Sequence, residues 1–196
     1  PTRNIGEDAT VIPRQQIIDT LIAPLNPNAE VRNSILLIPG SPGYDDMVAQ
    51  NGSAFYAESG TEAGIAQARD LLAQAGVETP VDVRFWYPEG NVRRAAEFEL
   101  IAQAGAQAGF NVIDTSEPNW EFTDPSINPV NPHDAVIFAW QSTSLAVTGT
   151  DQYLGTGQPS NFGGYSNTEV DRLLKSLETE LDEARQIEIQ IEVEKL

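Results

Sequence analysis

The chain has 196 residues, 29 acidic against 11 basic side chains, a formal net charge of −18 and no cysteine. This length suits one α/β domain, and the negative charge argues against a nucleic-acid partner, because affinity for nucleic acid comes from cations that meet phosphates. The lack of cysteine excludes disulfides, thiolate nucleophiles and cysteine metal sites.

The first predicted element is a helix that opens at Pro13, because proline suits the first helical turn. Its apolar side chains recur at helical spacing, at Ile17, Ile18, Leu21, Ile22 and Leu25. Residues 26–60 are rich in Pro, Gly, Asn and Ser, which predicts a surface excursion with one short strand at 35–38. A second helix is predicted over 62–75 and stops at Gly76.

The middle of the chain predicts a β-α-β unit. Residues 81–87 alternate apolar and other side chains as a strand does, residues 92–108 form an alanine-rich helix, and residues 110–114 form a second strand. A unit of this size favours a right-handed crossover and a parallel sheet. A third strand is predicted over 134–140, where a near-continuous apolar run is typical of burial on both faces.

The C-terminal part predicts a polar stretch followed by helices. Residues 141–165 are rich in Gly, Ser, Thr and Asn, and the run Ser166-Asn167-Thr168-Glu169 predicts a helix N-cap, with Glu169 placed to complete a capping box if Ser166 is the cap. Residues 167–196 predict one or two amphipathic helices, with an apolar stripe of Leu173, Leu174, Leu177, Leu181, Ile187 and Ile191.

Together these elements predict a single α/β domain over residues 1–196, with a mixed, mostly parallel sheet flanked by helices. The first residue is Pro1 rather than Met, and Leu196 falls inside a predicted helix, so we expect a piece of a longer protein. No apolar run approaches the roughly 20 residues of a membrane span.

Catalytic, metal and cofactor motifs are missing from the sequence. Because the chain has one histidine, His133, a multi-histidine metal site is excluded, and His133 is interpreted as a loop residue. No G-x-S-x-G elbow, phosphate loop or G-x-G-x-x-G turn occurs. Carboxylates are abundant, but nothing singles out a catalytic pair. The sequence therefore predicts no catalytic residue, no metal site and no cofactor.

A binding site is predicted at the carboxyl ends of the strands, where open α/β sheets bind ligands. The third strand ends at Trp140, and short polar side chains follow it at Gln141, Ser142, Thr143 and Ser144. Trp120 lies in the polar loop before that strand, and Trp86 lies near the end of the first. Each tryptophan could instead fill the core; the pattern favours a site for Trp120, favours a structural role for Trp86 and leaves Trp140 open.

Six blocks of the sequence carry a family resemblance from about residue 11 to the end. In chain order they are IPRQQIIDTL, PGSPGYD, AQARDLLAQAGV, VDVRFWYPEGNVRRAAEFELIAQAGAQAGFNVID, HDAVIFAW and NFGGYSNTEVDRLL. They resemble blocks of the C-terminal lobe of the family 5 extracellular solute-binding proteins, the oligopeptide-, dipeptide- and nickel-binding class of ABC importers.

The resemblance implies a periplasmic-binding-protein-like (type II) lobe in a protein that encloses its solute between two α/β lobes joined by crossover strands. It also implies three partners: a peptide or similar small solute, the missing N-terminal lobe, and the permease subunits of an ABC importer. The expected location of the parent protein is extracytoplasmic, either as a cell-surface lipoprotein or in the periplasm. No nucleic-acid partner is expected.

Site residues carry over from the resemblance position by position. Trp120 matches the tryptophan of the family's E-W-x-x-F loop, and Trp140 matches the tryptophan that ends the family's Gly-Trp strand, with Ala139 in place of the glycine. Thr143 stands where peptide binders carry an aspartate for the peptide's α-ammonium group. The resemblance therefore implies that the other lobe supplies that partner or that the solute lacks a free amino terminus. Further candidates near the cleft rim are Asn161, Phe162 and Tyr165.

Two other function classes stay open on the sequence alone. One is the catalytic domain of a doubly wound α/β enzyme, a hydrolase or a transferase, which the missing motifs disfavour. The other is a surface interaction or structural module, which would have protein partners but no ligand cleft.

Overall fold

The computed structural model describes residues 8–118, 133–137, 139, 149–161 and 163–196. The chain divides into two compact units, each built from separate stretches of sequence. The sheet unit comprises Pro1–Val31 and Tyr56–Ala139, and the helical unit comprises Arg32–Phe55 and Trp140–Leu196. Whether the whole chain acts as the single predicted domain stays a prediction, and each unit is described by itself.

A parallel three-stranded sheet forms the centre of the sheet unit. Strands β1 (Val81–Trp86), β2 (Phe110–Asp114) and β3 (Ala135–Val136) are arranged in the order β2-β1-β3. Val81 pairs with Phe110 in one ladder, and Phe85 pairs with Ala135 in the other. The predicted parallel β-α-β unit is confirmed. All pairings among the described strands are parallel, so the antiparallel part of the predicted mixed sheet is not found there.

Helix α4 (Val92–Ala108) is the crossover between β1 and β2, with the limits that the sequence predicts. Its ends are set locally, since the side chain of Asn91 accepts a hydrogen bond from the Arg94 amide and Gly109 adopts a left-handed φ of 99°. Phe98 packs against the sheet, with ring centroids 5.9 Å from Phe85 and 5.5 Å from Tyr87. These aromatic contacts fix α4 over the carboxyl half of β1.

Helix α3 (Glu62–Gln74) packs beside α4 and also matches its prediction. Thr61 caps it by accepting a hydrogen bond from the Gly64 amide. Its buried face contributes Ile65, Ala68 and Leu72 to a core shared with Val81 and Val83 of the sheet. At Gly64 a Cβ atom would lie 2.2 Å from the carbonyl oxygen of Glu58 and 2.8 Å from that of Thr10, so the backbone there approaches too closely for any side chain.

The first predicted helix is shorter than expected. Helix α1 (Arg14–Ile17) passes into a π-helical turn, Ile18–Ile22, with Pro13 at the N-cap. Leu25 lies beyond this turn and is 85% exposed, so it does not belong to the predicted apolar face. The prolines that follow cannot continue the hydrogen-bond ladder, which is why the helix stops early.

Strand β3 is also shorter than the predicted 134–140, and its described residues are only half-buried. It is fixed at its start by Asp134, which accepts hydrogen bonds from the Arg84 amide at 2.9 Å and from the Arg84 guanidinium at 2.8 and 2.9 Å. Trp86, at the end of β1, is 2% exposed and belongs to the core, as the sequence favours. His133 precedes the strand in irregular backbone.

Helices α2 (Tyr44–Val48), α5 (Asp151–Leu154), α6 (Thr168–Leu177) and α7 (Glu183–Lys195) form the helical unit. Their shared core consists of Leu36, Leu37, Met47, Val170, Leu173, Leu174, Leu177, Ile189 and Val193. The interpretation of residues 26–60 as a surface excursion is therefore wrong in part, because Leu36 and Met47 are 2% and 0% exposed.

The predicted strand at 35–38 does not form, because side chains satisfy the backbone groups that a strand would need. Glu194 Oε1 accepts hydrogen bonds from the Leu36 amide and from Ser34 Oγ, both at 2.6 Å. The Arg32 guanidinium donates to the carbonyl oxygens of Ile35 and Leu37. With these partners in place, the segment needs no neighbouring strand.

The C-terminal helices differ from the prediction in three details. Asn167, rather than Ser166, is the N-cap of α6, since its side chain accepts hydrogen bonds from the amides of Glu169 and Val170. Leu181 lies in the turn between α6 and α7 and is 93% exposed. The fully buried residues of α7 are Ile189, Gln190 and Val193, while the predicted Ile187 and Ile191 are half-buried and Ile191 packs against the same core.

Candidate functional site

Most of the predicted site lies outside the described residues. This holds for Trp120, Trp140, Gln141, Ser142, Thr143, Ser144 and Phe162, all of which stay predictions. The structure describes the other two predicted residues, Asn161 and Tyr165, and it describes the strand ends that lead toward the rest.

Asn161 organises a loop that presents Tyr165. Its amide nitrogen donates to the carbonyl oxygens of Gly155 at 2.9 Å and Tyr165 at 2.7 Å, and its Oδ1 accepts from the Tyr165 amide at 3.0 Å. The whole hydrogen-bonding end of Asn161 thus serves its own loop. Tyr165 is 38% exposed. Of this pair, Tyr165 is the residue with exposed surface, and Asn161 holds the backbone from which Tyr165 projects.

The same loop is tied to the start of α6. Asp171 Oδ1 accepts a hydrogen bond from the Thr156 amide at 2.8 Å, and this bond lowers the pKa of Asp171. The Thr156 hydroxyl lies 3.2 Å from the Ser166 hydroxyl. A shallow cavity of about 360 Å³ lies beside these two hydrogen bonds, and its lining includes Asp151, Thr156, Asp171 and Lys175. Helix α6 therefore fixes the position of the loop within the helical unit.

The carboxyl edge of the sheet carries a buried cation, Arg94, in the first turn of α4. This residue is 6% exposed, and its Nη1 donates to the carbonyl oxygen of Ile137 at 3.1 Å. Burial lowers the pKa of Arg94, and the neighbouring Arg93 adds to this effect, while Glu97 opposes it. The guanidinium thus lies at the end of β3, three residues before Trp140 in the sequence.

A second polar group near this edge pairs Tyr87 with Asp114. The buried Tyr87 hydroxyl donates to Asp114 Oδ2, and the Ser116 amide donates to Asp114 Oδ1, each at 2.7 Å. Burial of Asp114 would raise its pKa, but these two hydrogen bonds outweigh burial, and the pKa is below its ordinary value. Burial first, and the bond to Asp114 second, raise the pKa of Tyr87. The carboxylate is therefore held in its ionised form.

A groove of about 550 Å³ lies on the helical side of the sheet unit. It is lined mainly by Gln16, Ile65, Arg69, Leu100, Gln103 and Gln107, and the Arg69 guanidinium crosses it to donate to the Gln107 carbonyl oxygen at 2.7 Å. Within the described part of the chain, no group of three or more His, Cys, Asp or Glu side chains is arranged to hold a metal ion. Nor is any described helix long and apolar enough to cross a membrane.

Sequence reasoning missed Arg94 and the Tyr87–Asp114 pair. The two adjacent arginines at 93 and 94 stand out in a chain of net charge −18, but the sequence does not tell which is buried. Only the helix phase decides it, since Arg94 points to the sheet while the Arg93 side chain is 49% exposed and pairs with Glu97 at 3.1 Å.

Comparison with known proteins gives relatives for this chain, although no family model matches it. The uncharacterized lipoprotein Rv2585c of Mycobacterium tuberculosis is 30% identical over 153 residues, which is 74% of this chain and 26% of the relative. The uncharacterized lipoprotein ML0489 of Mycobacterium leprae is 32% identical over 162 residues, which is 76% of this chain and 27% of the relative. The chain thus spans about a quarter of the length of these relatives.

Solved structures match nearly the whole chain. The periplasmic EDTA-binding protein EppA matches with a TM-score of 0.79 at 15% identity, over 96% of this chain and 36% of its own. The putative peptide-binding protein AppA of Clostridium difficile matches with a TM-score of 0.70 at 20% identity, over 96% of this chain and 36% of its own. NikA of Staphylococcus aureus, solved with Ni(L-His)2, matches with a TM-score of 0.70 at 18% identity, over 97% of this chain and 39% of its own.

The chain has a periplasmic-binding-protein-like fold. The fold class predicted from the sequence is confirmed, and the matched structures carry the names of binding proteins for peptides, a nickel complex and a chelator, the class that the six sequence blocks resemble. The chain covers between 36% and 39% of each of these three structures. Such a share corresponds to one lobe of a periplasmic-binding-protein-like molecule rather than to the whole.

Proposed function

We propose that this chain is one lobe of an extracytoplasmic solute-binding protein, which captures peptides or similar small solutes and delivers them to an ABC importer. The observation that carries the proposal is the fold match over 96% of the chain to solute-binding proteins of which it spans only about a third. A fold by itself can have many functions, so the fold match needs a second support. The lipoprotein names of the curated relatives support the extracytoplasmic location independently of the fold.

The mechanism follows from having half of a binding site on each lobe. Solute meets one lobe, a hinge motion closes the second lobe over it, and the closed form is recognised by the permease subunits. Closure is driven by contacts that the solute makes only in the closed state. The missing N-terminal lobe is therefore an obligatory partner, and no catalytic residue or cofactor is needed.

The proposed solute contacts from this lobe are Trp120, Trp140, residues 141–144, Phe162 and Tyr165, with Asn161 as the support of Tyr165. Indole and phenol rings offer large rigid contact areas, and short polar side chains beside them set the orientation of the solute. Asn161 contributes through the loop, because all its side-chain polar atoms are used by Gly155 and Tyr165. The three neighbour structures are named for solutes of differing chemistry, namely EDTA, peptides and a nickel–histidine complex, so the proposed solute class is broad.

The location of the parent protein follows from its relatives. Both curated relatives are named as lipoproteins, and a lipid anchor on the extracytoplasmic face keeps a binding protein near its permease. A net charge of −18 is compatible with this location, since it disfavours adsorption to anionic lipid surfaces and to nucleic acid.

The test compares the full-length parent protein with this chain. Both are titrated calorimetrically with an equimolar mixture of synthetic short peptides, after ligands that co-purify with the parent are identified by mass spectrometry. We expect this chain to bind at least about 100-fold more weakly, on the order of 3 kcal/mol, because it has half of the site. Equal affinities would contradict the two-lobe mechanism, and a parent that binds no peptide and co-purifies with no solute would contradict the function.

The site assignment has its own matched pair of variants. In the parent protein, Trp120→Ala should weaken peptide binding by about 10-fold or more, because an aromatic contact in a closed cleft is lost. Val77→Ala removes an exposed apolar side chain, 42% exposed and remote in sequence from the predicted site, and should leave affinity unchanged. Unchanged affinity in the Trp120 variant would remove that residue from the site.

A further inference from the structure

The end of β3 is the place where the described structure leads into the predicted solute residues. In the β1–β3 ladder, the Ile137 amide donates to the Trp86 carbonyl oxygen at 3.0 Å. The register pairs Trp86 with Val136. In a parallel ladder of this register, the next bond would run from the amide of residue 88 to the Ile137 carbonyl oxygen.

Residue 88 is proline, which has no amide hydrogen to donate. The β1 backbone nevertheless stays in the sheet at this point, since Pro88 forms a parallel bridge with Glu117 on the β2 side. On the β3 side the ladder donor is missing, and Arg94 Nη1 donates to the Ile137 carbonyl oxygen at 3.1 Å instead. The guanidinium replaces the bond that Pro88 cannot make.

We infer that Arg94 is a positioning residue, which completes the β3 ladder in place of Pro88 and thereby fixes Ile137 at the end of the strand. In the sequence, Ile137 lies three residues before Trp140, which is followed by the predicted solute residues 141–144. This inference rests on the proposed function, because it assigns Arg94 to the placement of solute-binding residues.

The burial of Arg94 supports this role over a general stabilising one. A guanidinium that is 6% exposed costs desolvation free energy, which an apolar side chain of similar length would not. The guanidinium is planar, stays charged and offers several donors in a fixed fork, so its direction toward one carbonyl oxygen is well defined. Its own backbone is fixed as well, since the Asn91 side chain accepts from the Arg94 amide at 3.1 Å.

The experiment uses the full-length parent protein and the same peptide mixture as probe. Arg94→Met keeps the length and removes the donor, and we expect it to weaken peptide binding at least about 10-fold. The matched control is Arg93→Met, which removes the exposed neighbour and its pair with Glu97 and should change affinity less than about 2-fold. Arg94→Lys, which keeps a cationic donor, should recover part of the affinity.

A second-site rescue separates positioning from simple stability. Pro88→Ala restores an amide at residue 88, so the double variant Arg94→Met/Pro88→Ala should regain most of the affinity that Arg94→Met loses. A merely structural buried arginine would not be rescued in this way. Wild-type affinity in a folded Arg94→Met variant, or no recovery in the double variant, would overturn the inference.

A readout without ligand keeps this result distinct from the proposed function. In hydrogen exchange, Arg94→Met should raise the exchange rate at Ile137 about 10-fold relative to β2, and Pro88→Ala should reverse the change. If the wild-type parent binds no peptide but this exchange pattern holds, the proposed function fails and the ladder repair stands. If exchange at Ile137 is unchanged in Arg94→Met, the inference fails whatever the parent binds.

Discussion

The sheet unit and the helical unit each hold an irregular segment with a charged side chain from a helix, but the sign of the charge differs. In the sheet unit, Arg94 of α4 donates a hydrogen bond to the Ile137 carbonyl oxygen at the end of β3. In the helical unit, Glu194 of α7 accepts hydrogen bonds from Ser34, Leu36 and Asn51. Arg32 also donates to carbonyl oxygens of that segment, but it lies within the segment itself, so the side chain that comes from a helix is a cation in one unit and an anion in the other.

This difference follows from what each segment lacks. Strand β3 pairs with β1, but the next donor to the Ile137 carbonyl group would be the amide of residue 88, and Pro88 has no amide hydrogen, so this carbonyl group needs a donor from outside the ladder. The segment around Leu36 has no ladder at all, so its amides need an acceptor, and α7 brings Glu194 to it from 158 residues away in sequence. In both units a long charged side chain on a regular helix replaces a backbone partner that is missing.

The largest effect is expected in the apolar core that supports the helical unit. Leu177 is 2% exposed, so Leu177→Ala should lower the free energy of unfolding of that unit by about 3 kcal/mol through lost transfer energy and a residual cavity. Hydrogen exchange across α6 and α7 measures it. The control is Leu181→Ala, a leucine that is 93% exposed and should cost less than about 0.5 kcal/mol. Equal costs for the two leucines would contradict the assigned core.

Removal of the anionic anchor should have an intermediate effect. Glu194→Ala removes the acceptor of Ser34 Oγ and of the Leu36 amide and one of the two acceptors of Asn51 Nδ2, and should cost the helical unit about 2 kcal/mol. Glu188→Ala, on the same helix, removes only an exposed pair with Arg185 and should cost about 0.5 kcal/mol or less. Urea unfolding of both variants tests the contrast. Similar midpoints would show that Glu194 is one more surface carboxylate.

The smallest expected effect is a pH dependence in the sheet unit. The pKa of Asp114 in the folded protein is below its ordinary value. The ionised carboxylate therefore stabilises the fold fully at pH values above the ordinary pKa. This contribution is lost as the pH falls through the folded pKa. Tyr87→Phe removes one of its two donors, raises the folded pKa of Asp114, and should cost about 1 kcal/mol at neutral pH and less in acid.

Unfolding measured over a pH series checks this prediction. Tyr165→Phe removes the hydroxyl of a tyrosine that is 38% exposed and should show no such pH dependence. A Tyr87→Phe penalty that stays constant as the pH falls would indicate that the hydroxyl acts on packing rather than on the ionisation of Asp114.

Local patterns were sufficient for α3 and for the β1-α4-β2 part of the sheet unit, where neighbouring elements in sequence are neighbours in space. The periodicity of α4, its Asn91 cap and its Gly109 stop all lie within the helix and its two flanking residues, so the limits of α4 and β2 are predictable. The hydrogen bond between Arg94 and the Ile137 carbonyl oxygen at the end of β3 is not predictable in this way. It depends on which of two adjacent arginines faces the sheet and on the amide hydrogen that Pro88 lacks. Sequence patterns for helices and strands treat these two features separately, so they do not predict the hydrogen bond.

The helical unit was harder to predict because its contacts join distant segments. The Pro- and Gly-rich stretch around Leu36 has the composition of a loop, and only Glu194, far along the chain, gives it a buried position. Asn167 and Ser166 are both good caps by type, and the Ser166 hydroxyl is instead engaged with Thr156. For the candidate site, the sequence named Asn161 and Tyr165 together, whereas the hydrogen bonds divide them into a support and an exposed ring.

The close backbone approach at Gly64 has a consequence for engineering this lobe. Exchange of a helical glycine for alanine is a standard thermostabilising change, since it removes freedom from the unfolded chain. Here the added methyl group would meet two carbonyl oxygens at 2.2 and 2.8 Å, neither of which can rotate away. Consensus libraries and helix-propensity scores that recommend alanine at position 64 would select against the very contact that lets the N-terminal segment lie on α3.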